Sequence, residues 1–339
     1  MTSSALICGC RGPVLGAEEI AFFRDARPWG FILFARNCVD PDQIRALTRA
    51  LRESVDRPDA PILIDQEGGR VQRLRPPQWP AYPDGRTYGE VFVRDPAEGR
   101  RAARLGGRLI AADLASLGID VDCLPVLDVP VDGAHDVIGR RAYATTPDIV
   151  SELGREAAHG LLAGGVLPVI KHIPGHGRAG VDSHHDLPVV DTDLTTLEAI
   201  DFAPFRDLAE MPLAMTAHVV YRAIDPDHPA TTSRTVIDAV IRGFIGYDGC
   251  LMSDDLSMRA LAGSLAERTV AALDAGCDLV LHCNGDLDEM RAVAGAARPL
   301  TDRAAERAAR ALAARRTPDA IDPAALAADF ARLTAPPSV

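Results

Sequence analysis

Residues 147–172 read PDIVSELGREAAHGLLAGGVLPVIKH. Apolar residues recur at helical spacing through Pro147–Leu162, Gly164 and Gly165 break the pattern, and Val166–His172 is an apolar run ending on Lys171 and His172. A strand with no polar face needs cover on both sides, as in a parallel sheet flanked by helices. The same unit recurs outward in both directions. Ala5–Cys10, Gly30–Ala35, Pro61–Asp65, Asp120–Val129, Leu213–His218, Cys250–Ser253 and Asp278–His282 read as further buried strands. Helical stretches separate them at Asp40–Val55, Gly99–Leu117, Leu194–Leu208, Thr235–Phe244 and Ala266–Ala275. This alternation predicts an α/β protein of the (β/α)8 TIM-type barrel class rather than a doubly wound sheet, with residues 1–339 as a single catalytic domain. Ala5–Cys10, followed by helix-like Ala17–Ala26, admits a second reading as a short antiparallel lead-in. Asp302–Arg315 reads as a final helix packed outside the barrel, and Ala335–Val339 as a frayed tail.

Composition narrows the function. A formal net charge of -12 argues against a nucleic-acid partner, which needs a positive stripe to displace counterions. With 47% apolar and 25% charged residues the chain reads as an ordinary globular protein. No run approaches the roughly 18 apolar residues of a membrane span, and MTSSALICGC has no basic segment leading into an apolar one, so neither a membrane partner nor a secretory signal is expected. Seven cysteines, an odd and scattered set, fit reduced thiols and a cytoplasmic location. A monomer is the expected state.

The strands end in polar clusters: Asp65-Gln66-Glu67, Asp128, Lys171-His172, His218, Ser253-Asp254-Asp255, and His282 with Asn284. In a parallel barrel those ends share one face, where active sites are built. Three segments concentrate the chemistry. PILIDQEGGRVQR (61–73) delivers Asp65 from a buried strand, with Gly68-Gly69 for a tight turn and Arg70 and Arg73 beyond. An Asp suits paired sugar hydroxyls, and Arg suits carboxylate or phosphate. VIKHIPGHGRAGVDSHHDLPVV (169–190) holds four of the nine histidines between 172 and 185, together with Lys171, Asp182 and Asp186. Histidine titrates nearest neutral pH, and an Asp two residues away can orient it for proton transfer. The same residue types are also ligand chemistry, so a metal-dependent hydrolase using His172, His176, Asp182 and His184 stays open at this point. GCLMSDDLSM (249–258) presents two adjacent carboxylates, of which strand alternation directs one inward; an inward Asp can serve as a nucleophile toward an anomeric carbon, while a strand-end Asp such as Asp255 can equally cap the following helix.

The strings DQEGGRVQRL, KHIPGHG followed by DSHHDLP, and SDDLSM, in that order and spacing, resemble glycoside hydrolase family 3 β-N-acetylhexosaminidases. More narrowly, they resemble the single-domain NagZ-type enzymes of cytoplasmic peptidoglycan recycling in Gram-negative bacteria. The resemblance implies a barrel and a retaining mechanism. By motif it makes Asp254 the nucleophile and His184 with Asp182 the acid/base dyad, and it gives sugar binding to Asp65, Arg73, Arg141, Lys171 and His172. It implies no metal and no cofactor. IGRRAY (138–143) carries two arginines where the family has one, so Arg141 is a choice over Arg140; Ile173 stands where Phe is common. HVVYRAIDPDHPATTS (218–233) also looks familial but receives no catalytic role. The implied partner is a small sugar, N-acetylglucosaminyl-β-1,4-anhydro-N-acetylmuramic acid, with or without peptide. The rivals are a phosphorylase, the metal-dependent hydrolase and an idle sugar-binding barrel.

One count stands apart. The chain has 36 Lys plus Arg, and Lys171 is the only lysine. Its place at a strand end suggests a task that the broad guanidinium fork does badly.

Overall fold

The computed structural model describes residues 2–183 and 186–336. The eight expected strands are present: β1 Ser4–Cys8, β2 Pro28–Leu33, β3 Ile62–Ile64, β4 Val121–Asp122, β5 Leu167–Ile173, β6 Leu213–Thr216, β7 Cys250–Asp255 and β8 Leu279–His282. They follow one another in chain order around a closed barrel, and β1 pairs with β8 (Cys8 opposite His282) to complete it. The (β/α)8 expectation holds. The antiparallel lead-in does not, because β1 is parallel to both β2 and β8. With a neighbour on each edge, its backbone groups are paired without leaving the core.

The fourth run departs from its sequence reading, keeping regular ladder geometry only at Val121–Asp122. Pro125 has no N–H to give. Beyond the ladder the chain stays against β5 through Val169 N to Leu124 O (3.0 Å), Lys171 N to Pro125 O (3.1 Å) and Leu127 N to Lys171 O (2.7 Å). That irregular course delivers Asp128, fully buried, to the barrel mouth.

The outer helices Pro41–Ser54, Pro96–Ser116, Pro147–Ala163 and Leu265–Ala275 lie close to expectation. Leu194–Leu208 is not one helix: a π-helical turn at Leu197–Asp201 separates Leu194–Thr196 from Ala203–Asp207, where Pro204 withholds a donor. Nor is the helix that starts at Asp302 the last. Pro323–Thr334 follows, begun by Asp322 accepting from the N–H groups of Ala324 and Ala325, and it buries Phe330 and Leu333. An Asp-Pro start was visible in the sequence, but the run of small residues behind it hid the helix. Of the expected tail, residues 337–339 lie outside the described residues.

Aspartates just before three strands hold the N-terminal face together. Asp248, ahead of β7, meets Arg303, Arg307 and Arg310 of helix Asp302–Ala313 at 2.7, 2.9 and 3.0 Å. Asp278, ahead of β8, meets Arg242 and Arg307, and Asp120, ahead of β4, meets Arg52 and Arg315. One face is thus closed by ion pairs, and the opposite face is left for chemistry.

Candidate active site

At the C-terminal ends of the strands lies a cavity of about 240 Å³ whose walls include Asp65, Glu67, Arg73, Arg141, Lys171, His172 and Asp254. β3 stops at Ile64, and the chain turns at once into a short hairpin, Gln66–Gly68 against Val71–Gln72. Gly68 and Gly69 take φ of +99° and +56°, and a Cβ on Gly68 would sit 2.1 Å from the Pro83 carbonyl oxygen, so the turn demands glycine. The hairpin returns Arg73 to Asp65, with Nη2 donating to Oδ2 at 2.9 Å.

Lys171 arrives from β5. Its ammonium donates to Asp65 Oδ1 at 2.9 Å and lies 2.6 Å from Glu67 Oε1, and only 2% of its side chain is exposed. Arg141 grips Glu67 with two parallel bonds, Nε to Oε2 at 2.8 Å and Nη2 to Oε1 at 2.7 Å. The charges alternate in a row: Arg73, Asp65, Lys171, Glu67, Arg141. Burial alone opposes the ionisation of Asp65, but Lys171 and then Arg73 outweigh it and hold the carboxyl well below the usual range. Burial opposes Glu67 likewise, and Arg141 and then Lys171 pull it down to about 2.

His172 follows Lys171 and also lines the cavity, against simple strand alternation. The ladder explains this: Lys171 is opposite Met215 and Ile173 opposite Thr216, so His172 is the extra residue of a bulge. Asp128 fixes its ring, sitting 2.7 Å from Nδ1, and takes the backbone N–H groups of His172 and His176 at 3.2 and 2.7 Å. The His176 ring stands edge-on to that of His172, with centroids 5.7 Å apart, and its Nε2 is 3.1 Å from Ser183 Oγ. Burial, then the nearby His172, pushes the His176 pKa down to about 4.

The tip of β7 shifts register as well, with Met252 opposite Leu279 and Asp255 opposite Leu281. Both Asp254 and Asp255 therefore border the cavity, although alternation predicted one. Their surroundings separate them. The Asp255 carboxylate accepts from Ser257 N (3.1 Å), Ser257 Oγ (2.5 Å) and Cys283 N (3.2 Å), and so caps the following turn.

The sequence-predicted residues thus converge unevenly. Asp65, Arg73, Arg141, Lys171, His172 and Asp254 share one cavity. Arg140 points away to Asp84 and Glu90, at 2.6 and 3.0 Å. Asp182 precedes Ser183, which lines the cavity, whereas His184 lies outside the described residues. The site also recruits Glu67 and His176, which sequence reasoning gave no sugar-binding role, and Asp128, which it recorded only as a strand-end polar residue. Their one signal was proximity to a strand end. Among the described residues, no three His, Cys, Asp or Glu side chains are grouped to hold a metal ion.

The pattern of the glycosyl hydrolase family 3 N-terminal domain matches residues 21–314. The chain belongs to glycosyl hydrolase family 3. It is a glycoside hydrolase, and its relatives agree. A β-hexosaminidase of Alkalilimnicola ehrlichii is 43% identical over 288 residues, 84% of this chain and 82% of that one. Native NagZ of Neisseria gonorrhoeae superposes with a TM-score of 0.89 at 32% identity, covering 99% of both chains, and the same protein has been solved in complex with N-trifluoroacetyl-D-glucosamine. A family 3 β-N-acetylglucosaminidase of Paenibacillus sp. gives a TM-score of 0.81 at 31% identity, and this chain spans 62% of its length.

In this family 3 enzyme the charged row also carries stability. Glu67 ionises at about 2 when folded against an ordinary 4.5, so its contribution is complete above the ordinary range and is lost as pH falls toward the folded value. A depression of that size corresponds to roughly 3 kcal/mol. Glu67→Gln is expected to lower the unfolding free energy by about that amount at pH 7, and by progressively less below pH 4.5. Urea titrations at pH 7 and in the acid range would measure both; a penalty independent of pH would mean that the shape of Glu67 matters and its charge does not.

Proposed function

We propose that this protein is a retaining exo-β-N-acetylglucosaminidase that removes the non-reducing-end sugar from N-acetylglucosaminyl-β-1,4-anhydro-N-acetylmuramic acid and its peptides, in cytoplasmic cell-wall recycling. The observation that carries the reading is the placement of Asp254 in one small cavity with the row from Arg73 to Arg141. A cavity of this size, closed on one side by fixed charges, suits a single terminal ring. Asp65 accepts from ring hydroxyls, Lys171 and Arg73 donate to them, and His172, its other nitrogen held by Asp128, presents Nε2.

Asp254 attacks C1 and the glycosidic C–O bond breaks. The departing oxygen takes a proton from His184, which Asp182 orients. Water then attacks C1 of the glycosyl-enzyme, gives its proton to His184 and restores the Asp254 carboxylate. Most glycosidases use a second carboxylate as acid/base. Here the neighbouring Asp255 is occupied by Ser257 and Cys283, which supports assigning the proton to the 182–184 segment instead. The Paenibacillus relative's name, a β-N-acetylglucosaminidase, and the N-trifluoroacetyl-D-glucosamine complex of the gonococcal protein favour an N-acylated amino sugar.

Product analysis tests the reaction class. Incubated with the anhydro-disaccharide, the protein is expected to release free N-acetylglucosamine with its β configuration retained, in water and in phosphate buffer alike. Appearance of the sugar 1-phosphate would make it a phosphorylase, and inversion at C1 would remove the covalent step.

Three substitutions examine the residues. Asp254→Ala is expected to lower kcat by at least about 10³-fold while leaving N-acetylglucosamine binding in place. Asp255→Ala should be far milder, and the reverse ranking would reassign the nucleophile. Lys171→Arg keeps the charge but not the compact ammonium that fits between two carboxylates; a loss in kcat/KM of about 10- to 100-fold is expected. Near-normal kinetics would make the single lysine an accident of composition.

A further inference from the structure

Where β7 leaves the barrel, regular pairing to β6 covers only Cys250–Met252. Side chains take over from there. Ser253 Oγ accepts the Leu281 N–H at 3.0 Å on one side, and Thr216 Oγ1 accepts the Asp254 N–H at 3.4 Å on the other. Behind Thr216 lies a fully buried set that the mechanism does not use. Thr216 Oγ1 is 2.7 Å from Thr231 Oγ1, which is 2.7 Å from His218 Nδ1, and His218 Nε2 is 3.0 Å from the carbonyl oxygen of Asp255.

Counting protons gives these contacts a direction. A carbonyl oxygen can only accept, so Nε2 of His218 carries a proton. Burial lowers the ring's proton affinity, and a neutral ring has no second proton to place, so Nδ1 accepts. The Thr231 hydroxyl is then its donor, by the shorter of two routes, the other being the Ala217 carbonyl at 3.1 Å. Having given its proton, Thr231 accepts from Thr216, and Thr216 accepts from the Asp254 N–H. The chain runs head to tail from the N–H of Asp254 to the C=O of Asp255, each proton used once.

We infer that Thr216, Thr231 and His218 are positioning residues, which clamp both backbone ends of the Asp254-Asp255 pair and so aim the Asp254 carboxylate at C1. The inference rests on the reading of Asp254 as nucleophile. It also gives a task to the 218–233 segment, which supplies both His218 and Thr231. A carboxylate at a bulged strand end lacks the ladder that would fix its backbone, and small misplacements of a reacting group are costly.

The test compares full-length Thr231→Val and Thr231→Ser on a chromogenic N-acetyl-β-D-glucosaminide. Valine keeps the shape and removes the relay; serine keeps the hydroxyl. Thr231→Val is expected to lower kcat about 10- to 100-fold with KM changed less than about threefold, while Thr231→Ser stays within about threefold of the parent. A folded Thr231→Val with parental kcat overturns the inference, as does a Thr231→Ser as slow as the valine variant. A second measurement needs no folded valine variant. In nitrogen-15-labelled protein near neutral pH, the His218 ring, identified by its disappearance in His218→Gln, should be neutral and protonated at Nε2. A proton at Nδ1 overturns the direction of the chain and with it the clamp. Failure of the underlying reading shows separately, as an active Asp254→Ala.

Discussion

A nearly buried ammonium ion held between two carboxylates organises the active face. Lys171 bridges Asp65 and Glu67, and those residues in turn hold Arg73 and Arg141. Three separate pieces of chain meet there: the end of β3 with its hairpin, the end of β5 and the short helical turn that carries Arg141. Burying any one of these charges alone would be prohibitive, since desolvation exceeds what a single partner returns. Alternation of sign along the row is what makes the arrangement tolerable. It also leaves a fixed electrostatic surface that needs little reorganisation when a polar ring arrives.

The same face is built from interruptions of regular structure. β3 ends in a two-glycine hairpin, the fourth run breaks at Pro125, and β5 and β7 each carry an extra residue near their tips. Each interruption turns side chains toward the mouth that strict alternation would send elsewhere, His172 and the Asp254-Asp255 pair among them. Each also frees backbone groups that need partners. Asp128, Ser253 and Thr216 supply them, so polar residues beneath the mouth replace the missing ladder.

The strands were legible because a parallel barrel leaves them apolar on both faces; all eight occur where apolar runs were read, and six of those runs end in polar clusters. What escaped was set by packing or by single breakers: Pro125 shortening β4, Pro204 dividing a helix, and Phe330 and Leu333 anchoring a last helix that opens on small residues. In the site, Asp65, Lys171, His172 and Asp254 stood out as strand-end polar groups. Glu67 and Asp128 also sat at strand ends and Thr231 did not, but none of the three showed its role, since they act on other protein groups and nothing in a linear string says which neighbour a side chain will meet. Arg141 is told from Arg140 only by direction, one facing Glu67 and the other Asp84.

Because the cationic clamps of the N-terminal face are all arginine, the described surface offers a lysine-specific protease nothing to cut. The single bond it could hydrolyse, after Lys171, lies inside the barrel on a side chain 2% exposed. Fraying of an outer helix does not uncover that bond; the ring of strands has to open. Cleavage at this one position therefore counts openings of the whole barrel, and it gives the molecule a built-in recorder of global unfolding that ignores local motion.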